Sequence, residues 1–189
     1  MIFVIGEVFQ DRLASDDMQD ILNTMPIPIA LKLSGGGYNV NLNTRFKDNE
    51  SLPLLKRQLE EKNINFNQFE DKDTYKMDEW DLDVIYDMFS DDTIIFFSNI
   101  GDVAILDMAE FSKVYDCISV MYINKLFVSL KTIKQMEHCF IEEAYALGYL
   151  DDIPKDRLTI IPKGFTDVEA AELMYEVIKD IEDSMNKMR

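Results

Sequence analysis

The chain has 189 residues, 36 of them acidic and 19 basic, a net charge of −17, and 47% hydrophobic side chains. That profile fits a single globular domain spanning 1–189, long enough to bury roughly 70% of the surface its unfolded form would expose. It argues against nucleic-acid and anionic-membrane partners, which require clustered Lys and Arg, and no apolar run approaches the ~18–20 residues that span a bilayer.

IFVIG (2–6) reads as a buried strand opening the chain, and Asp16 or Asp17 is placed to cap a short helix over 16–24. PIALKL (28–33) alternates, with Ile29, Leu31 and Leu33 on one side. Residues 38–46 alternate too, setting Tyr38, Val40, Leu42 and Phe46 against Asn39, Asn41, Asn43 and Arg45. That period of two predicts strands with one wet face, so 28–46 is expected to form a projecting β-hairpin turned by Ser34 to Gly37.

Helices are expected over 50–62, with Leu52, Leu55 and Leu59 on one stripe and Pro53 in the first turn, and over 78–89, its acids facing solvent. DTIIFFSN (92–99) and CISVMYI (117–123) read as buried strands flanking a helix that carries Ala104, Met108, Phe111 and Tyr115. A long helix is then expected through Ile133, Met136, Phe140, Ala144 and Leu147, ending at Gly148. LTIIP (158–162) is the last strand, and Thr166 to Glu169 has the form of a capping box opening the last helix. Continuous apolar strands between amphipathic helices define an α/β fold of three layers, a mostly parallel sheet with helices on both faces.

Ligands of open parallel sheets lie at the carboxyl ends of the strands. Gly6-Glu7 ends the first strand and Asp11 follows, where it is placed either to accept hydrogen bonds from ligand hydroxyls or to cap a turn. Gly35, Gly36 and Gly37 carry the same two readings: bare backbone that a ligand approaches, or the positive φ a hairpin needs. Asn99 to Asp102 joins a strand to a helix, making Asp102 a candidate base. Lys163-Gly164 precedes a helix start that suits an anion, but Asp167 and Glu169 already occupy its positive end. One histidine, His138, leaves no multi-His zinc site or His-based triad. MIFVIGEVFQ lacks a basic leader, and Cys117 and Cys139 read as buried free thiols, so the expected compartment is the cytoplasm.

VIGE (4–7), Asp11 and SGGGYNV (34–40) resemble the opening of the PfkB, or ribokinase-like, carbohydrate and nucleoside kinases. Residues 44–66 are similar to that family's acidic, leucine-rich helix segment, and MYIN (121–124) stands where its strand ends in D-P-N. IEEAYALGYLDDI (141–153) resembles its N-E-E-E segment and LTIIPKGFTDVEAA (158–171) its nucleotide turn. The resemblance implies a shortened ribokinase-like fold in which Asp11, Gly35, Gly36 and Asn39 contact a sugar or nucleoside. It makes 28–46 a substrate flap that pairs two subunits, and it makes ATP and magnesium the cofactors if kinase activity holds.

The departures are as informative. One glycine of the nucleotide turn is replaced, and the G-A-G-D segment that supplies the anion hole and the base has no counterpart beyond Ile100-Gly101-Asp102. A positioned base contributes roughly 10²–10⁴ in rate and anion-hole donors a similar factor, so the expectation is a ligand-binding, kinase-like protein without efficient phosphotransfer. The alternatives are an acidic interaction module that captures a basic partner or mimics nucleic acid, and a divergent active kinase using Asp102.

Overall fold

The sheet is organised around β1 (Ile2–Glu7), whose first four residues are at most 1% exposed. Alternate side chains point to opposite faces of a strand, and here both faces are apolar and covered. Ile2 and Val4 join one core cluster, Phe3 and Ile5 the other. The computed structural model describes residues 1–8, 17–45, 51–68, 92–124 and 128–188. The helix expected over 78–89 lies outside them.

In chain order the elements are β1, α1 (Met18–Leu22), α2 (Ile27–Gly35), β2 (Val40–Arg45), α3 (Leu52–Glu60), β3 (Ile64–Gln68) and β4 (Thr93–Phe97). Then come α4 (Asp102–Ser112), β5 (Ile118–Ile123), α5 (Leu130–Ile133), β6 (His138–Glu142), α6 (Glu143–Ala146), β7 (Leu158–Ile161) and α7 (Asp167–Met188). The seven strands run β3-β2-β1-β4-β5-β6-β7, and every neighbouring pair is parallel. One core cluster holds residues of α2, α3 and α7 against the sheet; the other holds residues of α4, α5 and the turn through Tyr149 and Ile153. This is the expected three-layer α/β architecture.

Over the described part of 28–46, residues 28–45, no hairpin forms. Residues 27–35 are helical, and β2 pairs parallel to β1 with Ile2 beside Val40 and Glu7 beside Arg45. The short apolar run satisfied the two-residue period by accident; Ile27, Ala30 and Leu33 also share one helical face, all fully buried. Pro28 sits in the first turn of α2, where a missing N–H costs nothing. The glycine run ends this helix: Gly37 adopts φ +91°, and its N–H donates to the Ser34 carbonyl at 2.9 Å. A side chain at Gly36 would collide with the Tyr175 ring of α7, 2.5 Å from its hydroxyl.

The second face of β2 is polar but not wet. Asn41 and Asn43 are buried, and Asn67 Nδ2 of β3 donates to both amide oxygens, at 2.9 and 3.2 Å.

The long helix expected through 133–147 divides into α5, β6 and α6. Ser129 caps α5, its hydroxyl accepting from Thr132 N at 3.2 Å, and the helix ends after one turn. Cys139, Phe140 and Ile141 are consecutive and buried, which suits an interior strand; β6 pairs with β5 on one side and β7 on the other. His138 therefore lies on a strand, its Nε2 2.8 Å from Thr159 Oγ1. Among the described residues no helix is long and apolar enough to cross a membrane.

Two consequences are measurable. Phe96 is wholly buried in the centre of the sheet, so Phe96→Ala is expected to cost about 3–5 kcal/mol in chemical denaturation. Burial, assisted by the nearby Arg157, pushes the His138 pKa down to about 4 from an ordinary 6.5. Between those values the unfolded chain takes up a proton that the native ring refuses, so this group withdraws stability as pH falls from 6.5 toward 4. Glu137 alongside is raised by burial and acts in the opposite sense, so the comparison isolates the histidine. Over that range the melting temperature is expected to fall more steeply for the wild type than for His138→Gln.

Candidate functional site at the carboxyl ends of the last three strands

Parallel strands place all their carboxyl ends on one edge, and the ends of β5, β6 and β7 open onto a cavity of about 540 Å³. Ligand pockets fall in the range of ~300–1,000 Å³. Tyr122, next to last in β5, stands 1% exposed, and its hydroxyl donates to Glu142 Oε1 of β6 at 2.9 Å. Glu143, the first residue of α6, turns across to the loop after β7, where its Oε2 accepts from Lys163 N at 2.7 Å. Gly164 makes that turn at φ +91°.

Thr166 and Glu169 close the capping box the sequence predicts. Glu169 Oε2 accepts from Thr166 N at 2.7 Å and from its hydroxyl at 2.8 Å, while Glu169 N donates to Thr166 Oγ1 at 3.2 Å. Those bonds hold the Glu169 carboxyl below the usual carboxylate range. Asp167 reaches to the opposite wall, its Oδ2 accepting from Met25 N at 2.8 Å. That wall is α1 and its exit, contributing Asp20, Asn23 and Thr24. Phe165 and Val168, both about two-fifths exposed, form an apolar lip.

The ionic lining is one-sided. Asp20, Glu142, Glu143 and Asp167 face the cavity with Lys163 as the sole basic side chain among its lining residues. The backbone donors of the 162–169 turn at Lys163, Thr166 and Glu169 are already bonded to this chain's own oxygens. Such a wall suits hydroxyl donors better than bare phosphate.

The sequence-predicted residues are distributed differently. Gly35, Gly36, Gly37 and Asn39 are exposed at the amino edge of the sheet, where the Asn39 carbonyl accepts from Ile2 N at 2.9 Å. They do not line this cavity. Asp102 opens α4 beyond the carboxyl end of β4, and its Oδ1 accepts from Ser129 N at 2.9 Å. Asp11 lies outside the described residues. Nearer β1, the Asn99 side chain clamps the Glu7 backbone, accepting from its N–H at 3.1 Å and donating to its carbonyl at 2.7 Å. Ser98 Oγ bonds Asn124 at the end of β5, 2.7 Å from Oδ1.

Tyr122, Glu142, Glu143 and Asp20 were missed by pattern reasoning. Reading 133–147 as one helix left Glu142 and Glu143 off its apolar stripe, and only the family resemblance marked 141–153. The usable signal was an apolar triplet, Cys139 to Ile141, running directly into two acids, the mark of a strand meeting a site. No triad of potential metal ligands occurs among the described residues.

No family model matches the sequence, and no curated protein matches it. Solved structures do. The crystal structure of Sa239 superposes with a TM-score of 0.51 at 9% identity, over 80% of this chain and 67% of that one. A pyrophosphate-dependent kinase in the ribokinase family, complexed with a pyrophosphate analog and myo-inositol, superposes at 0.49 and 11% identity, over 90% and 67%. The chain thus spans about two thirds of the length of each. Its α/β fold of seven parallel strands is shared with the Sa239 structure, and likeness at this identity is likeness of fold alone.

Thr166→Ala removes both the cap acceptor and the hydroxyl bound by Glu169. The expected cost is about 1 kcal/mol, read as a fall in melting temperature, with the Glu169→Ala, Thr166→Ala double variant no worse than the sum of the singles.

Proposed function

We propose that this chain is a kinase-like protein that binds a small polyhydroxylated ligand, a sugar or a nucleoside, in the cavity at the ends of β5 to β7, without efficient phosphotransfer. One observation carries the reading: in the turn that the sequence resemblance assigns to a nucleotide, two backbone donors are held by this chain's own carboxylates. Lys163 N is held by Glu143 and Thr166 N by Glu169. Phosphoryl transfer rests on positioning and on stabilising phosphate charge. A cavity with four lining carboxylates and one lysine works against that charge. The same carboxylates are good acceptors for vicinal hydroxyls, and the Phe165 lip offers an apolar face to a sugar or base ring.

Asp102 does not line this cavity. Its carboxylate fixes the Ser129 amide at the start of α5.

Titration calorimetry against a panel of neutral sugars, polyols and nucleosides, with and without ATP and magnesium, tests the proposal. The expected result is saturable binding of at least one neutral member without ATP, weakened about tenfold in Glu142→Gln because the neutral amide is a poorer acceptor. ATP turnover with that ligand is expected to stay at background. An empty panel overturns the binding claim, and turnover at about 1 s⁻¹ or faster, an ordinary kinase rate, overturns the claim of inefficient transfer.

A further inference from the structure

Acids reach the cavity at the ends of β5 to β7 from three directions. α1 brings Asp20, and Asp17 caps that helix. The end of β6 and the start of α6 bring Glu142 and Glu143, with Tyr122 of β5 bonded to the first of them. α7 brings Asp167, followed by Glu169 and Glu172. α2, packed on α7, carries Lys32, which pairs with Glu172 at 2.6 Å. That leaves Lys163, which lines the cavity from an exposed turn and forms no ion pair with a described residue.

Three of the four lining acids are oriented by neutral donors. Glu142 accepts from the Tyr122 hydroxyl at 2.9 Å, Glu143 from Lys163 N at 2.7 Å and Asp167 from Met25 N at 2.8 Å. A neutral donor fixes a carboxylate in place and leaves its negative charge intact.

We infer that this cavity takes a hydroxylated ring that carries an ammonium group, an amino sugar in chemical class, in preference to the same ring bearing hydroxyls alone. This preference presupposes the binding proposed above and narrows its ligand. Size favours an organic cation over a metal ion: about 540 Å³ is far more than one ion fills, and no group of three potential metal ligands occurs among the described residues. Asn23 and Thr24 set neutral hydrogen-bonding groups among the acids, suited to hydroxyls. Phe165, 43% exposed, presents an aromatic face at the lip, which attracts an ammonium as well as packing against a ring. An ammonium brings three donors and a positive charge where a hydroxyl brings one donor and none, and charge-assisted hydrogen bonds are the stronger kind.

Titration calorimetry of matched pairs is the test: glucosamine against glucose, galactosamine against galactose, and 3′-amino-3′-deoxyadenosine against adenosine, at low ionic strength and a pH where the amine is protonated. At least one amine is expected to bind about tenfold tighter than its hydroxyl twin. Raising the pH until that amine is neutral should erase the difference. Glu142→Gln and Asp20→Asn should each narrow it by about threefold, and general damage to the cavity does not move this ratio because both twins suffer it alike. Should either variant fail to fold, the pH dependence of the wild type still decides. Twins that bind equally overturn the inference and leave the binding proposal standing, whereas a panel in which neither member of any pair binds overturns both. A preference that survives neutralisation of the amine, or that both amide variants leave intact, also overturns the inference.

Discussion

Everything in this molecule depends on the burial of the central strands on both faces. β1, β4 and β5 are apolar at nearly every position, and no stretch of them is left for water. A strand buried that way cannot belong to a one-sided sheet; it needs helices above and below, and parallel crossovers supply both. Once the strands run the same way, all their carboxyl ends share one edge. The connecting loops must leave from that edge, and the polar groups of the loops gather there. The site is thus a by-product of the rule that made the core.

The edge is not uniform. Near β1 and β4, side chains bond to backbone: Asn99 holds Glu7, and Ser98 Oγ accepts from Asn124 N. Near β5 to β7 it is open, and the polar groups there are carboxylates. Their partners explain why the loops keep their shape. Glu143 grips Lys163 N, Asp167 grips Met25 N, and Glu169 grips Thr166. Each of these acids accepts from a backbone N–H of a loop or helix start and fixes its position.

Much of the fold was legible in the residues. The continuous apolar runs IFVIG, TIIFF and ISVMYI permit little except buried strands, and Thr166 with Glu169 marks a helix start by its chemistry alone. The site was much less legible. Its walls come from α1, three strand ends and the start of α7, and the Asp167–Met25 hydrogen bond joins residues 142 positions apart. The glycine run attracted attention because glycines serve ligands and helix ends equally well; only the position of Tyr175, on the far side of the sequence, shows what Gly36 is packed against.

What the sequence by itself determined was whatever local periodicity and backbone chemistry decide: the class of fold, the order of most elements, the caps, and an acidic surface. What only the tertiary structure decided was the identity of short apolar segments and the company each strand keeps. Residues 28–33 satisfy a strand period and a helix period at once, and residues 138–142 do the same. Five or six residues do not carry enough burial or hydrogen bonding to choose between them. The choice was made by neighbours: α7 offered a face for α2 to pack on, and β5 and β7 offered the backbone partners that turned 138–142 into a strand.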